Sequence, residues 1–296
     1  MLLEREGVNP NQAGKKYGQT VLSWAAKYGN EGVVKMLLER GDINPNQADT
    51  RYGWTPLSWA AEYGHLGVVK MFLEREDINP NQADTEYGWT PLLWAAVYGN
   101  EGVVKMLLQR EDINPNQVDT EYGWTPLLWA IDKEHSGVVK MLLEREDVDP
   151  NQADTEYGLT PLLLAAEKGQ PGVVKMLLER EDTNPNQADT KYGRTPLSRA
   201  SEKGNLRVVG ILLEREDVNP NQTDTKYGLT PLSWAAGYGH SRVVKMLLER
   251  KDVSTAILDN KGQTPLSLAL SRRHYRIAHV IREWGRDNFD AAYRGA

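Results

Sequence analysis

The chain of 296 residues contains no cysteine. Disulfides, thiolate metal sites and a cysteine nucleophile are therefore excluded, and a reducing compartment is permitted. A positive charge balance is also missing. Lys and Arg number 35 against 41 Asp and Glu, giving a formal net charge of -6 and a pI near 5.5. No basic field attracts nucleic acid or an anionic membrane surface. Charges of both signs are interleaved, as on a solvated face. No stretch approaches the roughly 18 apolar residues of a membrane-spanning helix. The opening Met1-Leu2-Leu3-Glu4-Arg5 carries an acid where a signal peptide needs a basic start. Patterns such as HExxH, GxSxG or a phosphate-binding loop are absent. His65, His135 and His240 stand too far apart to share a metal and read as structural. The one glycosylation-like triplet, Asn221-Gln222-Thr223, sits in a recurring loop and reads as chance. Together these absences predict a soluble cytoplasmic protein without cofactor, metal or enzymatic activity, binding neither nucleic acid nor membrane.

What is present is one sentence of sequence written many times. Its cleanest copy runs from Tyr87 to Glu121, and the segment from Tyr52 to Glu86 differs from it at seven of 35 positions. The opening tyrosine falls at Tyr17, Tyr52, Tyr87, Tyr122, Tyr157, Tyr192 and Tyr227, and a further copy from Lys261 arrives one residue early. A fixed period in the range of about 20 to 50 residues marks a stacked array whose units contact only their neighbours. Hydrophobic content of 40% with a mean hydropathy of -0.58 suits a thin, continuous core. The expected organisation is a partial repeat over 1–16, seven repeats over 17–260, and a C-terminal capping repeat with tail over 261–296. Because the chain starts inside a repeat, with Met1–Arg5 matching the end of a second helix, it reads as a piece of a longer protein.

Local rules order each unit. Thr90-Pro91-Leu92 is a helix start, with Thr capping free amides and Pro at the first helical position. That helix ends at Gly99, a residue suited to the left-handed conformation, and Ala95 and Ala96 let a neighbouring helix approach. A second helix is predicted from Glu101 to about Arg110, burying Val103, Val104, Leu107 and Leu108 while Glu101, Lys105, Gln109 and Arg110 face outward. The polar remainder, with Pro115 and a recurrent NPNQ, predicts a turn-rich finger. Neither helix is long enough to be stable alone.

The recurring GxTPLxxAAxxGxxxVVxxLL resembles the ankyrin repeat family over nearly the whole chain. The resemblance implies an all-α solenoid of helix-turn-helix units with extended hairpin-like fingers, binding other proteins through finger tips and the concave face of the first helices. Two departures stand out: a period of 35 rather than the common 33, implying a longer finger, and the loss of the histidine of TPLH to serine or leucine, as at Ser58 and Leu93. Long fingers in near-identical copies look like the arrays appended to fungal receptor-like proteins of innate-immunity type.

The candidate binding residues follow from that register. Trp54, Trp89 and Trp124, ahead of Thr-Pro, and Tyr63 and Tyr98, at the end of the first helix, take positions that face the groove in such arrays. A ladder of indoles about 10 Å apart, open to a partner, is expected there. Trp59, Trp94 and Trp129 read chiefly as packing between helices, with Trp94 and Trp129 also bordering the groove. Beyond them Asp132, Arg194, Arg199 and Glu202 break the pattern and predict a charged continuation. The leading expectation is a protein or peptide partner gripped by this aromatic groove, with the module itself monomeric. One alternative is a small-molecule or catalytic site around Trp129, Asp132, Arg199 and Glu202, with Glu134 beside them. Another is a structural spacer of a larger receptor. At the far end, Ile277, Val280, Ile281 and Trp284 predict an inward stripe, Arg272, Arg273, Arg276, Arg282 and Arg286 a solvated basic face, and 285–296 a frayed tail.

Overall fold

A computed structural model describes residues 9–294, with side chains described through Arg286. The expectation for Met1–Arg5 lies outside the described residues. Sixteen helices and no strands occur among the described residues. The chain divides into two compact units, Met1–Gln152 and Ala153–Ala296.

The first unit pairs α1 (Val21–Lys27) with α2 (Glu31–Leu38), α3 (Pro56–Tyr63) with α4 (Leu66–Leu73), α5 (Pro91–Tyr98) with α6 (Glu101–Leu108), and α7 (Pro126–Asp132) with α8 (Ser136–Leu143). Within it α1, α3, α5 and α7 pack in sequence as one layer, and α2, α4, α6 and α8 as another. The second unit repeats the arrangement with α9 (Pro161–Lys168), α10 (Pro171–Leu178), α11 (Pro196–Lys203), α12 (Leu206–Leu213), α13 (Pro231–Tyr238), α14 (Ser241–Leu248), α15 (Pro265–Ser271) and α16 (Tyr275–Arg294).

Each first helix starts as the sequence dictates. Thr90 Oγ1 accepts from Leu93 N at 3.2 Å, with Pro91 in the first turn. Where leucine gives way to serine, the serine stays within its own repeat: Ser58 Oγ pairs with Thr55 Oγ1 at 2.9 Å, fully buried. Gly99 closes α5 at φ 69°, and its Cβ would lie 2.7 Å from His135 Nδ1. In the fourth repeat Glu134 holds the same left-handed turn at φ 62°. The helix-ending geometry thus survives loss of the glycine, at the cost of placing a side chain where glycine is preferred. Ala95, Ala96, Val103, Val104 and Leu107 are completely buried, so both helices seal one shared core.

Three inter-repeat staples hold neighbours in register. His65 Nε2 lies 2.9 Å from Lys27 O, His135 Nε2 3.0 Å from Val97 O, and Asn100 Nδ2 donates to Ala61 O and Glu62 O at 2.8 Å each. These satisfy carbonyls left free at the end of the preceding first helix. The second asparagine of NPNQ bonds the following finger twice: Asn81 Nδ2 donates to Asp112 O at 2.6 Å while Asn81 Oδ1 accepts from Asn114 N at 2.8 Å. The third staple corrects the outward placement of Arg110. It chelates Asp112 through Nε and Nη2, and Nη1 donates to Leu73 O at 2.8 Å. A guanidinium is well matched to the exposed carbonyls and negative end of α4.

The finger is hairpin-like in its hydrogen bonding without forming strands. Asp84 N donates to Trp89 O at 3.0 Å, and Thr85 N reaches back to Tyr52 O of the previous repeat at 2.8 Å. The C-terminal expectation needs a second correction, since α16 continues through Gly285 to Arg294. Ile277, Ala278 and Ile281 anchor it in the core, and Trp284 Nε1 donates to Leu248 O at 2.6 Å.

Candidate functional site

Six successive fingers are each organised by one buried aspartate, Asp49, Asp84, Asp119, Asp154, Asp189 and Asp224, while Gly14 takes this place in the first. Asp84 Oδ1 accepts from the backbone N of Glu86, Tyr87 and Gly88, at 3.0, 2.7 and 3.1 Å. Its Oδ2 takes the indole N–H of Trp94 at 3.1 Å. Burial nevertheless pushes the Asp84 carboxyl above its ordinary range, opposed by those hydrogen bonds. Trp59 and Trp129 make the same bond to Asp49 and Asp119, at 3.3 and 2.6 Å. The second tryptophan of each pair is thereby fixed at both ends, by a carboxylate and by the core.

The first tryptophan of each pair does not stand open. Trp54 is only 6% exposed, and Trp89 and Trp124 are half-buried. Ring centroids run Trp59 to Trp54 at 4.2 Å, Trp54 to Trp94 at 3.9 Å, Trp94 to Trp89 at 4.4 Å, Trp89 to Trp129 at 5.2 Å and Trp129 to Trp124 at 4.8 Å. An open ladder with rungs about 10 Å apart is therefore replaced by an interlocked zigzag. The reason is geometric: the ring ahead of Thr-Pro slides into the gap between its own helix tryptophan and the next one. The Nε1 atoms of Trp54 and Trp89 are buried without an acceptor, so these rings are held by packing.

The most exposed aromatic rings of this unit lie along the last turn of the first helices, ahead of Tyr122 in a finger. Trp24, Tyr28, Tyr63 and Tyr98 are 43, 65, 50 and 52% exposed. Tyr63 lies nearly parallel to Trp59 and to His65, and Tyr98 to Trp94. Lys27 Nζ sits 4.0 Å from the Trp59 ring. Beside the tyrosines, burial raises the Glu62 carboxyl above its usual range, against the pull of Lys27 and the Tyr98 hydroxyl. Glu62 Oε2 is buried without a donor. Tyr28, Glu62 and Lys27 were not singled out by the sequence argument, although the 35-residue spacing of Tyr28, Tyr63 and Tyr98 was there to read.

The charged candidates are engaged internally. Asp132 pairs with Lys133 at 3.0 Å. In the second unit Arg194 pairs with Glu202 at 2.7 Å and stacks 4.2 Å from the Trp234 ring. Arg199 Nη2 bonds Asp189 Oδ2 at 3.0 Å, and its Nη1 lies 3.6 Å from Glu167. Arg194, Arg199 and Glu202 side chains are only 10 to 13% exposed, which corrects their placement as an open charged surface. Glu134 is exposed, its backbone serving as the left-handed turn. No metal-binding cluster of His, Cys, Asp or Glu occurs among the described residues. No helix among them is long and apolar enough to cross a membrane.

A family model described as ankyrin repeats matches residues 1–84, 76–154, 146–224 and 216–290. The chain belongs to the ankyrin repeat family. A comparison with curated proteins gives no match. Ankyrin repeats generally mediate protein–protein interaction and are typically non-enzymatic. In this ankyrin chain the histidine, arginine and asparagine staples serve stacking, and the tyrosine row and indole zigzag are the features that stacking alone does not require.

Proposed function

We propose that the first unit is a protein-binding module that grips a peptide or protein surface across its aromatic face, acting as a monomer in the cytoplasm. The carrying observation is the exposure of Tyr28, Tyr63 and Tyr98 at matching positions of successive repeats, with Trp24 exposed one turn before Tyr28. Four large rings held in water on one face favour a covering partner, and tyrosine and tryptophan are the side chains most enriched where truncation weakens an interface. The zigzag through Trp54, Trp94 and Trp129 gives these rings a rigid floor, and the half-buried Trp89 and Trp124 add edges to it.

The experiment is a triple substitution of Tyr28, Tyr63 and Tyr98 by alanine. Cross-linking and affinity capture from the source cell identify the partner, and calorimetry then measures its affinity for both forms. Loss of binding by at least about tenfold, with a melting temperature within a few degrees of the parent, is expected from exposed hot-spot residues. Equal affinity for the partner with and without the tyrosines would refute the assignment.

A further inference from the structure

Compared with the seventh, the last repeat lacks one finger residue and replaces the tryptophan of its first helix. In the seventh repeat Asp224 is followed by Tyr227 and Trp234, with Trp234 Nε1 donating to Asp224 Oδ2 at 3.1 Å and the two rings 5.8 Å apart. In the eighth, Asp259-Asn260-Lys261-Gly262 is one residue shorter, the finger tyrosine is deleted, and the helix position holds Leu268. The turn still forms. Asn260 N donates to Tyr227 O at 2.9 Å, and Asp259 Oδ1 accepts from Lys261 N and Gln263 N at 2.8 Å each. Asp259 Oδ2, the oxygen that takes an indole in the seventh repeat, has no donor. Two rings are missing where the array would place them, and a cleft of about 480 Å³ remains.

Its walls carry a charge balance opposite to that of the whole chain. Lys226, Lys261 and Arg272 line it against a single acid, Asp259, beside Arg194, whose charge is met by Glu202. Arg194 Nε is buried without an acceptor. Lys226 and Arg272 are steered over Tyr227 and Tyr238, at 5.0 and 5.3 Å from their rings. Leu268 covers Trp234 but offers no N–H to Asp259.

We propose that this cleft binds a tryptophan side chain from an acidic partner peptide, seated where the array omits its own indole. The indole N–H donates to Asp259 Oδ2, repeating the bond of Trp234 to Asp224. The ring packs against Leu268 and Tyr238, and carboxylates flanking the tryptophan meet Lys226, Lys261 and Arg272. The cleft lies wholly within the second unit, and the inference does not depend on the tyrosine face of the first.

The test uses the full chain and a fluorescein-labelled peptide, Gly-Glu-Asp-Trp-Asp-Glu-Gly, read by fluorescence polarisation. Saturable binding is expected, weakened at least about tenfold when the peptide's tryptophan becomes alanine. Leu268→Trp fills the cleft from within and should cut affinity by a similar factor while leaving the melting temperature unchanged or higher. Lys226→Glu/Lys261→Glu, both on the surface, should also lower affinity about tenfold and flatten its dependence on salt. No binding to the parent chain, equal binding of the alanine peptide, or unaltered affinity in the double charge reversal would each overturn the proposal. The alanine-peptide result would specify a bare anion site instead. The Tyr28, Tyr63 and Tyr98 triple variant should bind this peptide as the parent does, which keeps the two sites separable.

Discussion

The third and sixth repeats solve the same problem with different chemistry. Asp84 receives an indole N–H from Trp94 at 3.1 Å, and Asp189 receives a guanidinium N–H from Arg199 at 3.0 Å, each donor ten residues beyond its aspartate. What these two repeats share is a buried carboxylate folding the finger, with an indole donor exchanged for a guanidinium, whereas in the fifth repeat Leu164 stands at that place and offers no N–H. The surroundings then follow the donor. Around Trp94 the neighbours are rings, Trp54 at 3.9 Å and Trp89 at 4.4 Å. Around Arg199 they are ions, Glu167 with Lys203, while Arg194 next door pairs with Glu202. A neutral donor leaves the repeat free to build an aromatic face, and a charged donor commits it to an ion network.

The sharpest way to break this equivalence is to remove the charged donor. Arg199→Leu leaves the fully buried Asp189 side chain without its cation. Breaking a buried pair from one side costs about 3 to 5 kcal/mol, so urea unfolding of the second unit should shift by at least about 3 kcal/mol. Arg199→Trp, which restores the donor used in the third repeat, should cost less than about 1 kcal/mol, because only an exchange of comparable hydrogen bonds is involved. If tryptophan and leucine destabilise equally, the two donors are not interchangeable.

Breaking the neutral donor is a smaller perturbation. Trp94→Phe keeps a ring in the zigzag but leaves Asp84 Oδ2 without its indole. A lost partner to a buried polar group costs about 1 to 3 kcal/mol, more where it is charged, and the lower half of that range is expected since three backbone N–H groups still hold Oδ1. Thermal unfolding followed by tryptophan fluorescence reads it out, and an unchanged midpoint would show that ring packing alone fixes Trp94.

Much of this was legible from residues alone. Thr90-Pro91 set the helix start, Gly99 its end, and the paired alanines and valines the buried faces, because each signal acts within a few residues. Arg110 and Asn81 were opaque for the opposite reason. The carbonyl that Arg110 caps belongs to Leu73, 37 positions earlier, and the one that Asn81 reaches belongs to Asp112, 31 positions later. Likewise the burial of Trp54 depends on Trp94 of the next repeat, so no reading of a single repeat reveals it. The recurrence of NPNQ at a fixed step was a usable signal for the ladder, since a merely local turn tolerates more variation than a residue that must meet its neighbour twice.

The finest test of the neutral-against-charged comparison is pH. Asp84, with an indole donor, is pushed upward by burial, whereas Asp112, chelated by the Arg110 guanidinium, is held below the usual carboxylate range. An unfolded aspartate titrates near 3.9. Since folded Asp84 binds its proton more tightly than that, protonation favours folding. Its contribution is complete below about pH 3.9 and is lost as pH rises through the higher folded value. Asp112 runs the other way: its contribution is present above about pH 3.9 and is lost as pH falls through the lower folded value. The stability difference between the parent chain and Asp84→Asn should therefore move in the parent's favour between about pH 7 and pH 4, and that for Asp112→Asn should change only below about pH 4. Urea unfolding at steps across this range separates the two windows. A parent-to-Asp84→Asn difference that stays flat from about pH 7 to pH 4 would mean that the indole and backbone N–H groups outweigh burial, and the contrast between the two donors would then lie in their neighbours rather than in the carboxylate.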